Sequence, residues 1–112
     1  MKLEDLEWHS MPMPGASGPV EVAQLPGLPD GAWRAYVRFP PGWSRPGPGH
    51  YAVAEEVRVL KGDLHMNGQS WGPGDWISIP AGRTRCDTHT KHGCLALAWF
   101  GGEPHWIHTG NT

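Results

Sequence analysis

Apolar and polar positions alternate in short runs along this chain, and no run offers an amphipathic helix of three turns. The runs are AWRAYVRF (32–39), HYAVAEEVRVL (50–60), LHMN (64–67), WISIP (76–80), RTRCDTHT (83–90) and CLALAWF (94–100). Most are bounded by PPG, GD, NG, GPGD, AG or GG, so strand and turn signals agree. The segment AVAEEVRVLK is ambiguous, because its residues favour helix by propensity. The alternation of Val57 and Val59 against Arg58 and Leu60, followed at once by a Gly-Asp turn, assigns it to a strand. Residues 1–30 predict an irregular arm, in which MPMPGASGP and LPGLPDG punctuate a short apolar segment, VEVAQL. That segment adds one edge strand, since proline is confined to edges and turns. The arm leads into a β-barrel domain over 31–112. Many short strands at regular spacing predict an all-β sandwich or barrel, and of these a small jelly roll. There is no repeated unit, which excludes propellers and solenoids.

Composition tests this picture. Glycine and proline number 16 and 12 among 112 residues, a level at which disorder has to be considered. Seven tryptophans, spread from Trp8 to Trp106, argue against it, because such rings are worth having where they can be buried. A formal charge of −2 with nine basic residues leaves no electrostatic footprint for nucleic acid or an anionic membrane. The N-terminal MKLEDLEWHS is acidic where a signal peptide would be apolar, and no window reaches the length of a membrane span, so the expected location is the cytoplasm. Cys86 and Cys94 are too few for a disulfide framework and are expected as thiols.

Two stretches carry more than strand and turn signals. PGWSRPGPGHYAVAEEVRVLKG resembles the first motif of the cupin superfamily: Gly, five residues, His-x-His, three or four residues, Glu, six residues, Gly. Gly42 opens it, Pro48 stands at the first His, His50 at the second, Glu55 follows after four residues, and Gly62 closes it. GDWISIPAGRTRCDTH resembles the second motif through Gly74, Pro80 and Gly82, but Arg85 stands at the third His and His89 at the Asn. The turn-setting residues survive whole, whereas two of the four metal ligands that the resemblance implies do not. VRFPPG, EEVRVLKG and GCLALAWFGG are further similar to the branch that includes the sensor domain of ChrR-type anti-sigma factors. The resemblance implies a double-stranded β-helix barrel and a homodimer formed through sheet edges and exchanged arms.

In the full motif, imidazoles and a carboxylate from neighbouring strands close a shell for Zn, Fe, Mn, Ni or Cu. Here three arrangements stay open. His50, Glu55 and Arg85 form a metal-free polar cluster with the guanidinium in place of the ion, or His50, Glu55 and His89 hold a divalent metal weakly, or Glu55 faces solvent. A second group, Cys86, His89, His92 and Cys94, has zinc-like donors, but along a strand, turn and strand they alternate faces and do not converge. Ser70 and Ser78 lack a glycine elbow, so no nucleophile system is visible.

Two functions are therefore expected. In the first, the barrel holds a small organic, anionic ligand against Arg85, with His50, Glu55 and His89 around it. In the alternative, a divalent metal on His50, Glu55 and His89 supports a dioxygenase, isomerase or decarboxylase type of reaction. A sensor that regulates a partner protein, as in the anti-sigma branch, is a weaker third, since the chain shows no second domain to bind that partner. The partners expected are a small molecule and a second copy of the chain, with no nucleic acid and no membrane.

Overall fold

A computed structural model describes residues 2–26 and 30–109. Residues 27–29, within the LPGLPDG punctuation, and 110–112, at the end of the barrel segment, lie outside the described residues.

After one turn of 3-10 helix (Leu3–Asp5) the described chain is strand and turn. The strands are β1 (His9–Met11), β2 (Val20–Gln24), β3 (Trp33–Phe39), β4 (Ser44–Arg45), β5 (Gly49–Tyr51) and β6 (Glu55–Gly62). They continue as β7 (Leu64–Met66), β8 (Gln69–Trp71), β9 (Trp76–Ile79), β10 (Thr88–His89), β11 (Cys94–Phe100) and β12 (Trp106–His108). One antiparallel sheet runs β1-β2-β3-β11-β6-β9, a second runs β4-β10-β7-β8, and β12 pairs with β5. Side chains from all three line a common interior, the jelly-roll arrangement that the spacing predicts.

Alternation decides what faces inward. In β6, Glu55, Val57 and Val59 are buried and Glu56 and Arg58 are exposed; in β11, Ala96, Ala98 and Phe100 point to the core. The Asn67–Gly68 step turns β7 into β8 with positive φ at both residues, 53° and 78°, the geometry that a two-residue hairpin requires. Gly62 sits at φ 80°, and a β-carbon there would meet the Gly93 carbonyl, so the Gly-Asp turn admits no side chain at this crossing.

Three sequence expectations need correction. HYAVAEEVRVL is two strands, because residues 52–54 break the ladder and pass the chain from the β5–β12 pair into the large sheet. RTRCDTHT is mostly irregular: only Thr88–His89 forms a strand, and Arg85 joins β5 by an isolated bridge to Gly49. The arm contributes two paired strands where one was expected, and β2 buries Val20 and Val22 against the core. It is fastened further on, since the buried Trp43 Nε1 donates to the Gly18 carbonyl (2.9 Å) and the Ser17 N–H donates to the Ser44 carbonyl (2.7 Å). Among the described residues no helix is long and apolar enough to cross a membrane.

Candidate functional site

The interior retains a cavity of about 100 Å³. Its wall is apolar except for Arg45, Tyr51, Glu55, Arg85 and Thr88, and the arm closes one side with Met11 and Met13.

Glu55 opens β6 on its inward face, and Arg85 reaches it from thirty residues away. The reach is set by backbone: the Gly49 N–H donates to the Arg85 carbonyl (3.0 Å) and the Arg85 N–H to that of Gly49 (2.7 Å). Arg85 Nη1 then donates to Glu55 Oε1 at 2.5 Å, a buried charge-assisted pair. Its guanidinium carbon lies 4.7 Å from the centre of the Tyr51 ring. Burial pushes the Glu55 carboxyl above its ordinary range, while the charge and hydrogen bond of Arg85, and the charge of Arg45, pull it back.

Arg45, on β4, is a second buried guanidinium, 4% exposed against 7% for Arg85. Its Nη1 donates to the Tyr51 hydroxyl (3.2 Å), and it stacks on Trp106 with Cζ 4.0 Å from the ring centre. In both arginines Nε and Nη2 are buried without a hydrogen-bond partner. Unpaired buried donors are rare because each forfeits its hydration, about 1–3 kcal/mol per group.

The four sequence-predicted residues separate here. Glu55 and Arg85 meet. His50 lies between the inward-facing Gly49 and Tyr51 on β5, points to the opposite face and does not line the cavity. His89 stacks on His65 (centroids 4.6 Å, planes 9° apart), and its Nδ1 is 2.9 Å from the Asp87 carbonyl. The motif permits three or four residues between His and Glu. The three-residue spacing falls on Gly49 and Tyr51, and those are the positions that face inward. Arg45 falls among the five unspecified residues between Gly42 and Pro48, and Trp106 lies beyond both motifs, so neither carries a motif signal. The tryptophans divide: Trp33 and Trp43 line the cavity, while Trp76 and Trp99 are exposed on the outer face of the large sheet, stacked with Arg58 and Arg34.

A divalent cation does not fit this wall. Its only carboxylate is engaged by a guanidinium, arginine offers donors and no lone pair, and the space beside Gly49 is taken by the Trp106 indole. Among the described residues no three His, Cys, Asp or Glu side chains are grouped so as to hold a metal. His50, Glu55 and His89 are not brought to one point.

Outside the cavity, Asp63 ties β6–β7 to the turn before β11. It accepts from the N–H groups of Lys91 (2.8 Å) and His92 (2.9 Å), and contacts His65 Nε2 (2.6 Å) and His92 Nδ1 (3.1 Å); His65 Nδ1 in turn lies 2.7 Å from Ser70 Oγ. Burial raises this carboxyl, but the four contacts outweigh it and hold the group well below its ordinary value of 3.8. Both cysteines are free, Cys86 exposed and Cys94 buried.

Comparison with known proteins agrees with this architecture. The family model described as the ChrR cupin-like domain matches residues 1–102. Among curated proteins none matches the chain in sequence. The structure is similar to the polyketide cyclase RemF from Streptomyces resistomycificus, with a TM-score of 0.80 and 21% identity over 100% of this chain and 85% of that one. It is similar to an acetylacetone dioxygenase from Acinetobacter johnsonii, with a TM-score of 0.75 and 18% identity over 89% of this chain and 71% of that one. It is also similar to the complex of SigE with the anti-sigma ChrR from Rhodobacter sphaeroides, with a TM-score of 0.71 and 25% identity over 88% of this chain and 51% of that one.

Proposed function

The chain belongs to the family of ChrR cupin-like domains, and from that premise we propose that it binds a small organic anion in the barrel, at the guanidinium groups of Arg85 and Arg45. The single observation that supports the reading is the set of unpaired Nε and Nη2 donors on two buried arginines at one cavity. Such donors are stabilised by an acceptor, and a negatively charged one gains most in a site of low dielectric constant. Glu55 engages Nη1 of Arg85 and holds that guanidinium in place. The relatives named above are a cyclase, a dioxygenase and an anti-sigma factor, so the fold does not select a reaction. The proposal is accordingly one of binding.

Thermal-shift and calorimetric titration with a panel of small carboxylates, on the wild-type chain and on Arg85→Met, tests it. Carboxylates should raise the melting temperature of the wild-type protein and lose at least tenfold in affinity in the variant. Identical responses in both would remove Arg85 from the site.

We further propose that the chain pairs with a second copy. The exposed Trp76 on edge strand β9 and the exposed Trp99, each stacked with an arginine, support this, since tryptophan and arginine are enriched where interfaces concentrate binding energy. Sedimentation of the wild-type chain against Trp76→Ala tests it: a monomer at every concentration sinks the pairing.

A further inference from the structure

The charged groups on the cavity wall are Arg45, Arg85 and Glu55, two positive and one negative. With Glu55 ionised the interior holds one unbalanced positive charge. Resting on the anion-binding reading above, we infer that the ligand is a short-chain monocarboxylate: one negative charge on a compact apolar body.

Three observations select this class. First, the donors left free on each arginine are Nε and Nη2. In a guanidinium these lie side by side along one edge, the edge that grips a carboxylate with two parallel hydrogen bonds. Both arginines use Nη1 elsewhere, on Glu55 and on Tyr51, and keep that edge. Second, apart from Tyr51 and Thr88 the remaining wall is apolar, with Val57, Ile79, Ala96, Ala98 and Phe100 among its members. Each guanidinium offers a free edge, but Glu55 already neutralises one of the two positive charges, so a second carboxylate would leave the enclosed interior with an uncompensated negative charge. Third, size is limiting. A dry cavity of about 150 Å³ accepts benzene, so one of about 100 Å³ suits a body of roughly four to six heavy atoms. Glu55 acts in this scheme as the charge filter. Once ionised, it cancels one of the two guanidinium charges and leaves the site matched to a monoanion, so the titrations are run on the alkaline side of its raised folded value.

Isothermal titration of the wild-type chain with isobutyrate, isobutyramide and malonate separates the possibilities. Isobutyrate should bind at least tenfold more tightly than its neutral amide and at least tenfold more tightly than the dianion. In Glu55→Gln, which keeps an acceptor for Arg85 but removes the charge, the ratio of isobutyrate to malonate affinity should fall at least tenfold. Malonate binding the wild type as well as isobutyrate, or an unchanged ratio in the variant, overturns the monocarboxylate inference and leaves anion binding standing. No response to either anion overturns anion binding itself. Should Glu55→Gln fail to fold, Arg45→Gln serves: with Glu55 kept, the wall is neutral, and the preference for isobutyrate over isobutyramide should drop at least tenfold. Its persistence would overturn the charge-matching scheme.

Discussion

The indole of Trp106 occupies the space that any side chain at position 49 would need: a β-carbon on Gly49 would lie 2.2 Å from Cζ2 of the ring and 2.8 Å from the Ile107 carbonyl oxygen. β12 can lie against β5 at this register only because residue 49 is glycine. Gly49→Ala should therefore destabilise the protein by about 1–3 kcal/mol through overpacking, read as a lower urea midpoint at unchanged slope. Adding Trp106→Ala should not restore full stability, because the Ile107 carbonyl stays in the way.

The Arg85–Glu55 pair makes a sharper prediction. Removing one partner leaves a buried charge alone, so Glu55→Ala should cost about 3–5 kcal/mol. Replacing both with apolar residues of similar volume, as in Glu55→Leu with Arg85→Met, should recover most of that loss. Denaturant unfolding of the single and double variants measures the coupling directly.

The buried Glu55 and the half-buried Asp63 act oppositely with pH. Asp63 is held below its ordinary value, so its stabilising contribution is present above about 3.8 and is lost as the pH falls below that. Asp63→Asn should flatten the acid limb of a stability profile and lower the plateau by about 1.5–3 kcal/mol, the worth of hydrogen bonds to a charged group. Glu55 is raised, so its contribution is complete below 4.5 and declines as the pH rises through the folded value. Glu55→Gln should remove that decline, which melting temperatures measured from pH 4 upward would register.

Thiol chemistry should divide the cysteines. Burial, reinforced by the charge of Asp63, pushes Cys94 up to about 12, while Cys86 is exposed beside Asn67. Iodoacetamide at neutral pH should modify one thiol per native chain. Peptide mapping should place it on Cys86, with Cys94 reacting only after unfolding.

How far the sequence reaches is clearest at β5. The glycine and proline punctuation and the alternation in β6 lead directly to an all-β barrel, because turns and strand faces are local properties. The pairing of Glu55 with Arg85 follows from the two motif spacings taken together. One residue of register separates His50 from Tyr51, and that single step turns an imidazole outward and a phenol inward. No local signal fixes it, because the break at residues 52–54 absorbs or adds a residue freely. Arg45 and Trp106 are less legible still, as their stacking on each other joins positions far apart in sequence. Asp63 was signposted by the Gly-Asp turn, but its role rests on backbone donors from 91 and 92 that only the fold supplies.

The arm has a consequence for the chamber it closes. Met11 and Met13 come from near one end of the described chain and Pro104 from near the other, yet all three belong to one wall. A protein trimmed to the strands between 32 and 100 would keep its motif residues and much of its core, but its interior would be a trough open to water. Guanidinium edges in such a trough would be hydrated, and a carboxylate would gain little by displacing that water. Freeing the arm from β3, by a mutation at Trp43 or a nick near Gly18, should therefore open this cavity to water.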